Sequence, residues 1–346
     1  NMAYTTINKS TDYFNTKTYS GTGSSQSITG IGFEPSFTWI KHREDISNQM
    51  LTDSVRAATK TLHSQNTDTE STDAQALKSF DSDGFTVGTD TDVNGTGAAG
   101  IVAWNWKAGT TSGLSGGTIT PSSYSINVQS GFGIYKYVGN GNSGSTISHG
   151  LNSIPKMIII KRLDTADQWC VYHYDVGNTR RLRLNSNDYY NTGSGYWYNT
   201  SPTSSVFTIG NSSEVNSSGG SYIAYCFCEK VGYSKVSSYR GDGQTTPRFI
   251  YTGFKPAFLL IKRYDSSGDW QLVDNKRDID NPTNKTLFPN LSNAEDSGDR
   301  CDLLSNGFAI RSNTGTWNAS SSANYIYMAF AEAPLVGSNN IPCTAR

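Results

Sequence analysis

Charge is scarce in this chain. Only 16% of its 346 residues are Asp, Glu, Lys or Arg, against about 25% in an ordinary soluble domain, and the net charge is −1. That balance gives no electrostatic footprint for nucleic acid or for an anionic membrane. Long apolar runs are missing too: none approaches the roughly 18–20 residues of a membrane span, and Asn1–Lys9 holds no apolar signal-peptide core. A protein of this kind acting outside cells would be released by lysis. Asn1 ahead of Met2 points either to a start further upstream or to one extra residue. The cysteines, at 170, 226, 228, 301 and 343, are odd in number and share no spacing, which argues against a disulfide framework and for free thiols. The four histidines, at 42, 63, 149 and 173, are scattered, without the spacing of metal ligands. No cofactor and no metal site is expected.

What the chain does have is Ser, Thr, Asn, Gly and 12% aromatics, a neutral surface that suits extracellular adhesins and virion proteins. It also repeats itself. Pro35-Ser-Phe37-Thr-Trp39-Ile40-Lys41-His42, Pro155-Lys-Met157-Ile-Ile-Ile160-Lys161-Arg162 and Pro256-Ala-Phe258-Leu-Leu-Ile261-Lys262-Arg263 are one pattern. After each come further landmarks in fixed order. An acid and a base stand at Asp53/Arg56 and Asp274/Arg277, with a looser Asp175, Arg180 and Arg181 in the second copy. Basic–Leu steps follow at Leu62, Leu182 and Leu287. Then come turns into Phe85, Phe207 and Phe308, an Asn at 94, 216 and 318, and closing segments through Trp104-Asn-Trp106, Tyr225-Cys-Phe227 and Met328-Ala-Phe330. Solenoid units of roughly 20–50 residues cannot fold singly, whereas units on the order of 100 residues can each close a core.

The landmarks read as strands. Residues 102, 104 and 106 and their counterparts place large apolar groups at every second position, the period of a sheet with one buried face, with Asn105, Cys226 and Ala329 pointing the other way. Met157–Ile160 is apolar on both faces and reads as a central strand. Asp83-Gly84 and Asn306-Gly307 are hairpin signals. Ser71–Lys78 reads as a capped helical turn or two, and 53–63 as either strand or helix. The expected fold class is all-β: three tandem β-sandwich domains from an internal repeat, over 1–112, 118–233 and 237–346, the last with an extended tail. Gly109–Gly117 and Gly232–Thr246 are read as linkers.

The two ends carry a resemblance. Met2-Ala-Tyr-Thr-Thr-Ile-Asn-Lys-Ser-Thr-Asp-Tyr-Phe14 with Ala103–Gly109, and Tyr325–Val336 with Ile341–Arg346, resemble virion structural proteins of tailed phages of marine bacteria and cyanobacteria. The resemblance implies concanavalin-like or jelly-roll-like sandwiches and a place on the particle as tail fibre, receptor-binding protein or capsid decoration. It carries no catalytic residues. The second copy departs most from the pattern.

Its aromatic insert is the first candidate site. Tyr189, Tyr190, Tyr196, Trp197 and Tyr198 lie among Asn, Asp and Gly, so they read as a glycan-binding loop, or as a hairpin packed on its own sheet or on a neighbouring subunit. Asp90-Thr-Asp92-Val-Asn94-Gly95 opens like a calcium loop, but its twelfth position is Ile101, so a hairpin turn is the better reading. Asp53/Arg56 and Asp274/Arg277 read as structural ion pairs, and Lys41, Lys161 and Lys262 as architecture. Arg240-Gly-Asp242 is a chance tripeptide. No acidic pair or triad stands in a catalytic setting, so no enzyme is expected; a polysaccharide depolymerase is the minor alternative. Two readings remain: a tail-fibre or receptor-binding protein contacting host surface glycan, or a capsid decoration or fibre shaft with purely structural contacts. Either is a virion or extracellular protein among other virion subunits, without nucleic acid or membrane insertion, and a homo-oligomer such as a trimer or ring.

Overall fold

A computed structural model describes residues 4–97, 100–337 and 342. The fold is all-β, built from antiparallel sheets. Helices among the described residues are single turns: Thr91–Asn94, Ser194–Trp197, Ser213–Asn216 and a 3₁₀ turn at Ser10–Asp12.

Three large sheets share one central strand order. In each, an opening strand (Phe14–Ser20, Phe132–Val138 or Ser234–Arg240) pairs with a closing strand (Gly100–Trp106, Ser221–Cys228 or Asn324–Pro334). The closing strand pairs next with a proline strand (Phe37–His42, Pro155–Arg162 or Phe254–Arg263), and that with an acid strand (Met50–Asp53, Cys170–His173 or Gln271–Asp274). Registers match: Trp39 faces Trp104, Ile159 faces Tyr225, and Leu260 faces Met328. Each of these sheets packs against a second one, of three, two and four strands in chain order, and the residues between them form separate cores. Ile40, Ile101 and Phe85 lie in the first, Ile158, Ala224 and Phe207 in the second, and Leu259, Tyr325 and Phe308 in the third.

The other faces of the large sheets are buried as well, and this departs from the expectation of one buried face. Phe37, Trp104, Trp106, Ile159, Tyr225, Phe227, Leu260, Met328 and Phe330 belong to one cluster drawn from all three sheets. Trp106, Phe227 and Phe330 occupy the same register position and form a triangle, with ring centroids 6.3, 5.7 and 6.0 Å apart. Trp106 also meets Phe14, Phe37, Phe132 and Phe258 within 6.5 Å. The small residues 103, 105, 224, 226 and 329 are not on a solvent face; they are under 1% exposed in the sandwich cores.

Local structure follows the turn chemistry. Gly84 and Gly307 close two-residue hairpins (Asp81 facing Gly84, Leu304 facing Gly307), and a Cβ on either would sit 1.9 or 2.1 Å from the carbonyl oxygen of Ile28 or Ile250. Ser71–Lys78 is not helical. It contributes the short strand Ser71–Thr72 and the start of Leu77–Asp81, with Asp73 accepting the Gln75 N–H in the turn between. The ambiguous 53–63 stretch resolves into a turn and the strand Lys60–His63. The stretch read as a second linker contains the opening strand Ser234–Arg240, whose Ser and Lys residues hide its buried Val236 and Tyr239. Cys170, Cys226, Cys228 and Cys301 are buried; Ile341 and 343–346, with Cys343, lie outside the described residues, as do 1–3.

Because one aromatic cluster serves all three sheets, truncating its hub acts on the whole chain. Trp106→Ala is expected to cost about 3–5 kcal/mol and to lower a single denaturation midpoint. Far-ultraviolet dichroism and tyrosine fluorescence should report the same transition; separate transitions for separate segments would contradict the shared core.

Candidate functional site

The sequence landmarks that looked chemical are where the sheets hold one another. Asp53 and Arg56 are fully buried, Arg56 Nε donating to Asp53 Oδ2 at 2.6 Å and Nη2 to the Leu51 carbonyl at 3.0 Å. Asp274 and Arg277 repeat this at 2.6 and 2.9 Å. Each carboxylate takes a further donor from another sheet: Tyr225 Oη to Asp53 Oδ2 at 2.6 Å, and Trp104 Nε1 to Asp274 Oδ2 at 3.0 Å. Tyr225 and Trp104 share a register position, so the second sheet reaches the first and the first reaches the third. The third reaches the second at His173, which stands where the acid belongs and whose Nε2 faces the Tyr327 carbonyl at 3.5 Å.

The cycle recurs at two more levels. Gln49, Trp169 and Trp270 each precede an acid strand. Their side-chain N–H groups donate to the Phe288, His63 and Arg183 carbonyls, all across a sheet boundary, at 2.9–3.0 Å. Lys41, Lys161 and Lys262 are buried at the ends of the proline strands. Each ammonium donates to the next residue's carbonyl (2.7, 2.8 and 2.6 Å), and burial lowers each pKa to about 8. Lys161 and Lys262 also reach the Thr67 and Asn187 carbonyls of the neighbouring segment, whereas Lys41 turns to Ser47.

The third landmark is a clasp. Asn94, Asn216 and Asn318 are unexposed, and each Oδ1 accepts a backbone N–H from the loop after an opening strand: Thr22, Asn140 and Asp242 at 2.9, 2.8 and 2.7 Å. That consumes Asn94 as a calcium candidate. Asp90 caps Thr91–Asn94 by accepting the Asp92 N–H at 2.8 Å, and Asp92 accepts both N–H groups of Asn48. No group of three or more His, Cys, Asp or Glu side chains among the described residues is placed to hold a metal. Asp242 of the Arg-Gly-Asp tripeptide is likewise tied, to Asn318 and Arg248.

The aromatic insert divides. Trp197 is buried, edge-on to Tyr172 in the second sandwich core, so it is corrected from a contact residue to a core residue. The one-turn helix Ser194–Trp197 points it inward, a geometry that five aromatics in a turn-rich run do not reveal. Tyr196 is partly buried, with the Arg181 guanidinium 4.6 Å over its ring, and Tyr190 packs on the central cluster under Arg180 at 4.2 Å. Tyr189 and Tyr198 are 58% and 47% exposed. Tyr189 and Tyr190 line a recess of about 200 Å³ with Arg181, Arg183, Asp188 and Asn191, while Tyr198 lies against Gly144. Behind the recess Glu214 pairs with Arg181 at 3.1 Å and Arg183 at 2.7 Å, the second segment's substitute for the missing Asp–Arg pair. Glu214 sits in a Ser-rich turn and carries no sequence signal that would single it out.

Residues 9–334 match the model of a domain of unknown function, DUF7483. The chain belongs to that family. No curated protein and no solved structure matches it.

His173 generates a pH dependence. The Asp175 N–H donates to its Nδ1 at 3.2 Å, so Nε2 carries the proton of a neutral ring, and burial lowers the pKa to about 4. The unfolded chain therefore takes up this proton first as pH falls. Stability present above about pH 6.5 is lost on the way to pH 4, on the order of 2–3 kcal/mol from this group. In His173→Asn the loss over that window is expected to shrink, measured as denaturation midpoint against pH; superimposable profiles would refute the assignment.

Proposed function

We propose that this chain is a non-enzymatic virion structural protein, a tail-fibre or receptor-binding component whose exposed Tyr189 and Tyr198 contact host surface glycan. The observation that carries the reading is the single aromatic core closed by three large sheets. It makes the body rigid and leaves loops as the variable parts, the division of labour of a recognition module. The finer architecture belongs to the same proposal: three jelly-roll-like or concanavalin-like sandwiches arising from an internal repeat, fused about one axis. A chain that carries a threefold arrangement internally can cap a threefold axis of other virion subunits, or form a ring or trimer of its own. The resemblance of its ends to virion proteins of marine tailed phages points to the same place, outside cells on a particle. Tyr189 beside Asp188 and Asn191 offers an aromatic face with amide and carboxylate groups at its edge, which suits a sugar ring.

A structural role as capsid decoration or fibre shaft is the second reading. It is favoured by Phe249 and Tyr251, 47% and 54% exposed on the strand Arg248–Tyr251, which suit a subunit contact better than a sugar.

A glycan array on the purified chain, with Tyr189→Ala and Tyr198→Ala, tests the first reading. Each variant is expected to weaken binding by about tenfold without shifting the denaturation midpoint. Trp197→Ala is expected instead to destabilise the fold by about 3–5 kcal/mol. An array without any bound glycan, together with density on the capsid shell in particle images, would leave the structural reading standing in its place.

A further inference from the structure

A cleft of about 580 Å³ opens between the loop after the first proline strand and the helix Thr91–Asn94, away from every group treated above as a contact surface. Its lining is acidic. Glu44, Asp45 and Asp92 all face it, and among the described residues no Lys or Arg lies within 4.0 Å of these carboxylates. Lys41 is adjacent, but its ammonium is directed at the His42 and Asp45 carbonyls and at Ser47. Arg43 is turned away, in a two-pronged pair with Glu295 at 3.0 Å.

His42 supplies the independent observation. It lines the cleft, is 2% exposed, and neither ring nitrogen has a hydrogen-bond partner among the described residues. Asp45 Oδ2 stands 3.7 Å from Nε2, beyond hydrogen-bond reach. A buried ring with both nitrogens unpartnered calls for a group that fills the space.

The other two sheets point to a cation. At the position of His42 they carry Arg162 and Arg263. Each guanidinium donates to the acid two residues on, Asp164 or Asp265, at 2.9 Å. In the first segment the acid two residues on is Glu44, and no arginine stands at 42 to meet it. We propose that the cleft binds an external cation in its place: an ammonium on a hydroxylated, ring-sized body, the chemistry of an unacetylated amino sugar. The ammonium sits among Glu44, Asp45 and Asp92, and the hydroxyls of Ser47 and Thr91 face the sugar's own. This site is separate from the Tyr189 recess and does not depend on it.

The test is titration of the isotopically labelled full chain with a glucosamine oligomer, its N-acetylated counterpart and spermidine, following the His42 ring resonances and the heat of binding. The glucosamine oligomer is expected to shift the His42 signals, and acetylation, which removes the charge, to weaken binding by at least about tenfold. Glu44→Gln and Asp45→Asn should each weaken it by roughly two- to fivefold, as for partly exposed ion pairs. His42→Arg, which restores the residue type of the other two sheets, should abolish binding with the denaturation midpoint unchanged. Equal binding of the acetylated oligomer, unmoved His42 signals with all three probes, or full binding by His42→Arg would each overturn the proposal. Binding of spermidine without the glucosamine oligomer would overturn the sugar. Binding here with no glycan held at Tyr189 would leave this inference standing and remove only the recess reading.

Discussion

Trp106, Phe227 and Phe330 meet where the three large sheets converge, and most of the molecule's other choices follow from that meeting. A sheet that packs a second sheet on one face and two sister sheets on the other has no wet face. Its strands must be apolar at odd and even positions alike, as Met157–Ile160 is along its whole length. Charge is then concentrated in loops, edges and strand ends, which accounts for a 16% charged composition without any appeal to function. The surface that remains is loop, and loops rich in Ser, Thr, Asn and Gly satisfy their backbone locally through side-chain turns.

Polar groups left inside this arrangement each require a partner, and the partner is usually on another sheet. A buried carboxylate is tolerated only when paired and hydrogen-bonded, so Asp53 takes Arg56 from its own turn and Tyr225 from the second sheet, and Asp274 takes Arg277 and Trp104. The buried lysines are solved differently, by backbone carbonyls, with desolvation opposing their charge. Such contacts add little net stability compared with an apolar core, but they are geometrically demanding. They fix the angle at which one sheet meets the next, a specificity that interdigitated aromatic rings alone do not provide.

How much of this was legible in the sequence depends on the range of the signal. Period-two alternation at 102, 104 and 106, the Asp-Gly and Asn-Gly hairpins, and the recurring Pro, Lys and Asn landmarks are local, and they led to the right class and to the right strands. What covers a strand is not local. Asn105, Cys226 and Ala329 read as the other face because small and polar residues usually are, and only the sheet packing shows them buried. The same blindness placed Trp197 in a contact loop and overlooked Trp169 and Trp270, whose indoles donate across sheet boundaries to residues about 100 positions away. Strand Ser234–Arg240 was hidden because its buried face has only Val236 and Tyr239 to declare it. At the candidate site, Asp92 was visible only as part of a turn and Glu44 and Asp45 carried no signal; the aligned proline strands show His42 in the place of an arginine, but only the packing shows its ring buried beside those acids.

That last comparison bears on why one chain should contain three such segments. In a homotrimer every interface is the same, and any change is made three times over. In a single chain the junctions need not match, and they do not: the second segment has His173 and Val176 where the others have Asp and Arg and sets its ion pair at Glu214, while the first has His42 where the others have arginine. The aromatic triangle takes one large ring from each sheet, and any loss there is felt by all three sheets at once. Outside the sheet junctions, the differences lie where one segment can vary without unseating the others, in the loops at the ends of the proline strands and the insert after Arg183. Those are the places where a binding surface can arise on a scaffold that otherwise has no room for one.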